Sequence, residues 1–301
     1  MILAPITLFT YNRLWHTQQT IEALRNNELA DVSELFLFSD GPKSEADREK
    51  VQSVREYLKS VTGFKKVAVV ERDRNLGLAQ SIISGVTEFV NKYGRVIVLE
   101  DDMLTSPFFL RFMNDALEFY KDEEKVISIH GYMYPVKAEL PETFFLKGAD
   151  CWGWATWKRG WDLFEQNGQK LLDELTARNL TRRFDFNNSY GYTKMLESQV
   201  KGQNDSWAIR WYASAFLKDK LTLYPGISLI FNTGTDASGT HCKAVDIYDT
   251  KISRGQINIA KISLEEDAHA LEAISRYFHS SRSSLGQRVV NRINKMLSKC
   301  Q

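Results

Sequence analysis

The chain has 301 residues, of which 43% are hydrophobic and 12% aromatic, so it is long enough for one large domain or two small ones. Its net charge of +1 argues against a nucleic-acid binder held by overall charge, since such proteins carry a basic excess. Three widely spaced cysteines, Cys151, Cys242 and Cys300, fit a reducing compartment better than a disulfide framework or a zinc site.

The first residues are apolar but lack the basic leader and the length of a signal peptide. The sequence also has no run of about twenty uninterrupted apolar residues that would predict a membrane span. We therefore expect a cytoplasmic protein.

The first half alternates short apolar runs with amphipathic segments. The runs predict strands at 6–10, 34–39, 67–71 and 95–99, and the segments predict helices at 14–26, 44–60 and 78–93. Strand–helix repeats at this spacing predict right-handed βαβ units. The expected fold is therefore α/β, with a mostly parallel central sheet flanked by helices.

The pattern changes after about residue 125. Strands are predicted at 126–130, 144–146 and 222–224, and helices at 169–178, 191–201 and 207–218. No second βαβ series and no linker is apparent. We therefore interpret the second half as an elaboration of one continuous fold.

An acidic triplet, Glu100, Asp101 and Asp102, follows the apolar run at 96–99. The run predicts a buried parallel strand. Three carboxylates at its end would repel one another unless a cation lay among them, and Mg²⁺ or Mn²⁺ binds both carboxylate and phosphate oxygens. Ligands of open α/β sheets bind at this carboxyl edge, so the triplet is the first candidate site.

The alternative for the triplet is a solvated turn that leads into a helix. Thr105, Ser106 and Pro107 are typical of a helix start, with Pro107 at the first helical position.

The other strand ends also carry polar side chains. Arg13, which follows the first strand, could neutralise a diphosphate at a helix N-terminus, or it could be a surface arginine. Asp40, beside Gly41 and Pro42, could accept a hydrogen bond from a nucleobase imide, or it could serve only the turn. Since a Gly-rich phosphate loop is absent from the sequence, dinucleotide cofactors and P-loop hydrolysis are not expected.

These strand ends together resemble the GT-A fold of nucleotide-sugar-dependent glycosyltransferases, which is Rossmann-like. Segment 5–13 resembles the nucleotide-binding strand of that family, and segment 74–79 resembles its Asn-x-Gly-x-x motif. The triplet resembles the DXD metal motif, in the Glu-Asp-Asp form of the inverting N-acetylglucosaminyltransferase I-like branch. Bacterial family-2-like glycosyltransferases are also similar, and the resemblance covers residues 4–245.

The resemblance implies a nucleotide-sugar-binding half at 1–125 and an acceptor-side and catalytic half at 126–250 of the same domain. The residues that follow, 251–301, are expected to form a helical basic tail. It also implies that Asp102 binds Mn²⁺ (or Mg²⁺), and that the metal bridges the diphosphate of a UDP-sugar. The residues implied to contact the nucleotide sugar are Thr10, Tyr11, Arg13, Asp40, Asn75, Glu100 and Asp101.

An inverting transfer needs a base that deprotonates the acceptor hydroxyl. The segment around Asp205 resembles the family segment in which the catalytic aspartate precedes a tryptophan, although here Ser206 separates Asp205 from Trp207. The alternative is that Asp205 only caps the helix that follows.

Two further segments complete the implied site. The polar loop 232–241 ends in His241, and a similar stretch closes the donor site of related bacterial transferases. His241 would bind the metal or the diphosphate, although a loop histidine can also be merely solvated. The residues implied to contact the acceptor or donor sugar are Asp150, Trp152, Gly153 and Trp154, although tryptophans also commonly fill cores.

The segment 276–299 carries six basic residues and no acidic ones, with apolar residues at helical spacing. It predicts either a basic amphipathic helix on an anionic membrane or a helix packed on the domain.

Together these features predict a metal-dependent inverting glycosyltransferase of the hexosyl or N-acetylhexosaminyl class. It would move a sugar from a UDP-sugar to a glycan or lipid-linked acceptor in bacterial surface polysaccharide or lipid-linked glycan synthesis, without a nucleic-acid partner. The alternatives are a sugar nucleotidyltransferase and a non-catalytic carbohydrate-binding protein.

Overall fold

The computed structural model describes residues 2–234 and 246–281. The strands are β1 (Ile6–Thr10), β2 (Glu34–Ser39), β3 (Lys66–Glu71), β4 (Arg95–Glu100), β5 (Met103–Thr105), β6 (Val126–His130), β7 (Thr143–Lys147), β8 (Trp154–Trp157), β9 (Leu221–Pro225) and β10 (Ile230–Asn232). The helices are α1 (Leu14–Arg25), α2 (Arg48–Lys59), α3 (Leu78–Tyr93), α4 (Phe109–Phe119), α5 (Lys158–Trp161), α6 (Gly168–Ala177), α7 (Thr181–Phe184), α8 (Tyr192–Val200), α9 (Trp207–Leu217) and α10 (268–281).

Within the described residues, eight strands form one sheet in the order β3-β2-β1-β4-β8-β6-β9-β7. The pairs from β3 to β4 are all parallel, as the βαβ pattern predicts. Beyond β4 the sheet is mixed, since β8 is antiparallel to both β4 and β6, β9 is parallel to β6, and β7 is antiparallel to β9. The expected α/β class with a central sheet flanked by helices is confirmed.

The parallel strands are apolar throughout because both faces of the sheet are covered. In β4, Ile97 and Leu99 point into one core, where they meet α1 and α4, while Val96 and Val98 point into the other, with α3. Strands of this kind show no polar face, and alternate side chains serve opposite cores.

Several predicted boundaries differ from the structure; the helix expected at 44–60, for example, begins at Arg48. The start of α4 also differs from the prediction. Pro107 is not the first helical residue, because α4 begins at Phe109. Thr105 belongs instead to β5, where it pairs with Ile230 of β10, and the chain turns before it enters the helix. Pro107 therefore lies in that turn.

Each helix in the described ranges is too short or too polar to cross a bilayer. His241 and the apolar and basic positions of the tail beyond residue 281 lie outside the described residues.

Candidate functional site

The polar residues predicted to converge do lie at one edge of the sheet. Because β1, β2, β3 and β4 run parallel, the residues after their carboxyl ends emerge on the same side. The ends of β1 and β2 are also bonded directly: the hydroxyl of Thr10 donates to the carbonyl of Phe38 at 3.0 Å, and the amide of Asp40 donates to the carbonyl of Thr10 at 3.1 Å.

Arg13 and the acidic triplet form the centre of this edge. One terminal nitrogen of Arg13, Nη2, donates to Oδ1 of Asp101 and to Oδ2 of Asp102, the latter at 2.7 Å. Burial disfavours the charge on Arg13, but the two carboxylates outweigh it and raise the pKa of the guanidinium. The sequence alone left open whether Arg13 was a surface residue, and the structure shows that it pairs with the triplet.

Two atoms at this centre are buried and have no hydrogen-bond partner among the described residues: Oδ1 of Asp102 and Nη1 of Arg13. Buried polar atoms are normally satisfied, and exceptions point to a missing ligand or a functional role. An orphaned carboxylate oxygen suits a cation, and an orphaned guanidinium nitrogen suits an anion.

The triplet carries more negative charge than Arg13 can balance. Burial, together with Asp102 and Asp101, raises the pKa of Glu100 to about 8 against the opposing effect of Arg13. Burial also raises the pKa of Asp101 to about 6, again opposed by Arg13. Desolvation of closely spaced carboxylates has this effect, and a bound cation would relieve it.

The donor set fits a cation that shares its ligands with a phosphate. In the part of the chain that the structure describes, no group of three acidic, histidine or cysteine side chains forms a preassembled metal centre. Asp102 would supply one oxygen. Mg²⁺ binds in this way, through one or two carboxylates together with water and substrate phosphates.

Strand β10 brings a second segment against Asp102. Thr233 donates from its amide at 2.8 Å and from its hydroxyl at 3.1 Å to the backbone carbonyl of Asp102. A β-carbon built on Gly234 would lie 2.1 Å from Oδ2 of Asp102, so a larger residue there would have to displace this carboxylate or the backbone of Gly234. Neither contact could be predicted from the sequence, in which the only hint was the glycine within the polar loop.

Asp40 organises the neighbouring turn. Its carboxylate accepts hydrogen bonds from the amides of Gly41 at 3.0 Å, Leu76 at 2.9 Å and Gly77 at 3.0 Å. The Asn75 side chain donates to the carbonyl of Gly41 at 2.8 Å. The turn-serving alternative for Asp40 is therefore present in the structure, and whether Asp40 also contacts a base stays a prediction.

Tyr11 braces the segment that follows β2. Its hydroxyl accepts a hydrogen bond from the amide of Lys43 at 3.0 Å, so the turns after β1 and β2 are tied together. A role of Tyr11 towards a nucleotide stays a prediction.

The start of α9 lies at the same edge. Helix α9 leads into β9, which runs parallel to β6, so the helix begins near the edge at which β6 ends. The ring of Trp207 stacks on Trp154 at 5.5 Å, and Trp154 pairs with Val98, two residues before Glu100.

Asp205 precedes this helix with its side chain 74% exposed. The capping alternative is wrong, because the hydroxyl of Ser206, and not Asp205, accepts the hydrogen bond from the amide of Ile209. The partner of Asp205 is Arg210, whose Nη2 donates to Oδ1 at 3.2 Å. The Asp205 carboxylate is therefore free of helix capping and open to solvent.

Three tyrosine hydroxyls surround Asp150. Tyr224 and Tyr134 donate to its Oδ2 at 2.8 and 3.2 Å, and Tyr192 donates to Oδ1 at 3.4 Å. Burial raises the pKa of Asp150, although the three hydroxyls oppose this. The tyrosines come from distant parts of the chain, so no local sequence pattern could have revealed the cluster.

The residues after Asp150 differ in accessibility. Trp152 is half-buried, with its ring 4.8 Å from that of Tyr132. Trp154 is 0% exposed and packs among other tryptophans, so the expectation that its ring contacts a sugar is wrong. Gly153 has a φ of +62°, and a β-carbon there would lie 2.6 Å from the Ile230 side chain, which explains the glycine by packing.

No protein-family model matches the sequence, and a comparison with curated proteins finds no match. Among solved structures, S. aureus TarS 1-349 is 13% identical, with a TM-score of 0.42 over 77% of this chain and 60% of that one. The mannosyltransferase PcManGT from Pyrobaculum calidifontis, in complex with GDP-Man and Mn²⁺, is 13% identical, with a TM-score of 0.32 over 46% of this chain and 37% of that one.

A UDP-glucose pyrophosphorylase complexed with UDP-glucose is 10% identical, with a TM-score of 0.36 over 74% of this chain and 90% of that one. The present chain spans less than two thirds of the TarS and mannosyltransferase structures. At these TM-scores and identities the likeness is too weak to assign a family or an activity.

Proposed function

We propose that the chain is a metal-dependent, inverting glycosyltransferase that uses a UDP-sugar. The observation that carries the proposal is the pair of orphaned atoms at the carboxyl edge of the sheet, Oδ1 of Asp102 and Nη1 of Arg13. The carboxylate oxygen could bind a cation and the guanidinium nitrogen an anion, and a metal-bound diphosphate supplies both ions next to each other.

In this proposal, Asp102 holds Mn²⁺ or Mg²⁺, and Arg13 binds the diphosphate. The cation, when bound, acts as a Lewis acid that stabilises the charge of the departing UDP. Glu100 and Asp101 face the ribose and the donor sugar, with Asp40, Asn75, Thr10 and Tyr11 shaping the nucleotide pocket. His241 would add a ligand to the metal or a hydrogen bond to the diphosphate.

Asp205 acts as the base in the proposed reaction. Its carboxylate is exposed, at the edge of the sheet that holds the triplet. A general base needs this exposure, because the acceptor hydroxyl must reach it to give up its proton. The acceptor oxygen then forms a bond to the anomeric carbon as the bond to the diphosphate breaks. Asp150 and Trp152 are the proposed contacts of a sugar, since carboxylates bind hydroxyls and aromatic rings stack on pyranose faces.

The acceptor in this proposal is a glycan or a lipid-linked sugar, as in the synthesis of a bacterial surface polysaccharide. The basic segment 276–299 would hold the enzyme at an anionic membrane surface when the acceptor is lipid-linked.

Calorimetry with UDP, in the presence and absence of Mn²⁺, tests the proposal. We expect Mn²⁺ to strengthen UDP binding at least tenfold. A screen of nucleotide sugars with Mn²⁺ then identifies the donor through slow hydrolysis that releases UDP. A lack of UDP binding under both conditions would contradict the proposal and favour a carbohydrate-binding protein, whereas release of pyrophosphate from UTP and a sugar phosphate would favour a nucleotidyltransferase.

A further inference from the structure

The two terminal nitrogens of Arg13 have different surroundings. Nη2 is committed to Asp101 and Asp102, whereas Nη1 is buried without a partner in the described chain. The two oxygens of Asp102 differ in the same way. Oδ2 accepts from Arg13 and is covered by Gly234, while Oδ1 has no described partner. Each of the two side chains thus has one bonded terminal atom and one buried terminal atom without a partner among the described residues.

The two unpaired atoms, Nη1 of Arg13 and Oδ1 of Asp102, do not bond to each other, although they belong to neighbouring side chains. Nη1 needs an acceptor with negative charge, and Oδ1 needs a cation or a donor. A ligand that satisfies both must therefore bring a cation and an anion together. The positive charge of Arg13 affects the two partners in opposite directions, since it repels a cation beside Asp102 and attracts a phosphate.

We propose that Arg13 is a positioning residue that couples cation binding to diphosphate binding. Its Nη2 occupies Oδ2 of Asp102 and so leaves Oδ1 as the unpaired oxygen for the cation, and its Nη1 binds an oxygen of the diphosphate. This inference rests on the proposed function and adds to it. The cation alone should bind weakly, and it should bind tightly when the diphosphate is also present.

The test compares Arg13→Gln with the wild type in two binding measurements. Mn²⁺ alone is titrated by electron paramagnetic resonance, and UDP is titrated by calorimetry at saturating Mn²⁺. We expect Arg13→Gln to bind Mn²⁺ alone at least threefold more tightly, because the competing charge is gone, and UDP at least tenfold more weakly. Uridine, which has no phosphate, should bind both proteins equally.

Arg13→Lys and Arg25→Gln are the companion variants. Lysine keeps the charge but has one nitrogen, so Mn²⁺ alone should bind as to the wild type while UDP binds at least fivefold more weakly. Arg25 is the last residue of α1, the helix that Arg13 precedes, and it forms an exposed ion pair with Glu22, so its glutamine variant should leave every affinity unchanged. Circular dichroism and thermal unfolding check that each variant folds, and Arg13→Lys decides the question if Arg13→Gln does not fold.

The outcomes separate this inference from the proposed function. Weaker binding of Mn²⁺ alone to Arg13→Gln would mean that Arg13 only holds the carboxylates in place, and would overturn the coupling. An equal loss of uridine and UDP affinity, or unchanged UDP binding by Arg13→Lys, would overturn the Nη1–phosphate contact. A wild type that binds neither Mn²⁺ nor UDP would overturn both this inference and the proposed function.

Discussion

At the residue scale, Ser206 is what leaves the Asp205 carboxylate available. A serine between an aspartate and the first helical residue takes over the N-cap, because its hydroxyl is then placed to accept the amide hydrogen bond. Because of this one inserted residue, Ser206 caps the helix, and Asp205 remains available for the proposed proton transfer.

Replacement of Asp205 by Asn tests its role as the base. Turnover should fall at least about 100-fold, since an amide cannot take the acceptor proton, while UDP affinity stays nearly unchanged. Steady-state rates and calorimetry measure the two effects. Asp162→Asn is the matched control, because Asp162 is exposed and paired with Lys158 but lies outside the proposed site. Full turnover by Asp205→Asn would show that another group is the base.

Gly234→Ala tests the contact with Asp102. The added methyl group would overlap Oδ2 of Asp102, so either the backbone at residue 234 or the carboxylate must move. We expect UDP affinity with Mn²⁺ to fall at least tenfold and the free energy of unfolding to drop by about 1–3 kcal/mol. Gly255→Ala is the control, since a β-carbon there meets no atom within 4 Å. Unchanged affinity would mean that Asp102 does not need this geometry.

At the element scale, the turn between β3 and α3 depends on a side chain from another element. Asp40 follows β2, yet it accepts the amides of Leu76 and Gly77 at the start of α3. Removal of a buried acceptor leaves its donors unsatisfied, at a cost of about 1–3 kcal/mol each.

Asp40→Ala should therefore lower the free energy of unfolding by about 2 kcal/mol or more and speed hydrogen exchange at the amides of Leu76 and Gly77. Urea unfolding and exchange followed by mass spectrometry measure these effects. Asp73→Ala is the control, because Asp73 is exposed in the same turn. Unchanged exchange at Leu76 would show that water replaces the carboxylate without loss.

The sequence predicted the parallel strands and their helices well, and β1, β2, β6 and α3 have the expected bounds. Long apolar runs and amphipathic periods are local features of the sequence, so the elements that they predict can be recognised without knowledge of tertiary contacts. Strands β5 and β10 have three residues each and form only by pairing with each other. Strand β8 is buried on both faces and rich in tryptophan, so it shows no alternation.

The same distinction applies to the site. The positions of Arg13, Asp40 and the triplet followed from parallel strands alone, because such strands end at one edge. The tyrosines around Asp150 and the approach of Gly234 to Asp102 could not be predicted, because they depend on how distant segments pack.

At the scale of the whole molecule, His130 makes stability depend on pH. It lies on β6 in the core, where burial lowers its pKa to about 3. An unfolded chain would bind the proton at its ordinary pKa of about 6.5. The contribution of His130 to stability is therefore fully present above about pH 6.5 and is lost as the pH falls towards 3, because the unfolded state then binds more protons at this group than the folded state does.

Between pH 7 and pH 5 this effect amounts to about 2 kcal/mol. His130→Gln should lose correspondingly less stability over that range, as measured by urea unfolding at both pH values. His279→Gln, at an exposed position of α10, should behave as the wild type. Equal losses for the wild type and His130→Gln would mean that His130 is protonated in the folded chain.

Strand β4 is hydrogen-bonded on one side to β1 and on the other to β8, which belongs to the second half of the chain. A fragment ending at residue 125 would therefore expose the backbone of β4 from Arg95 to Val98, where β8 pairs with it in the intact chain. Unprotected strands of this kind pair with other chains. We expect such a fragment to self-associate in gel filtration, whereas the intact chain does not associate through this strand. Residues 1–125 could then not be isolated as a monomer.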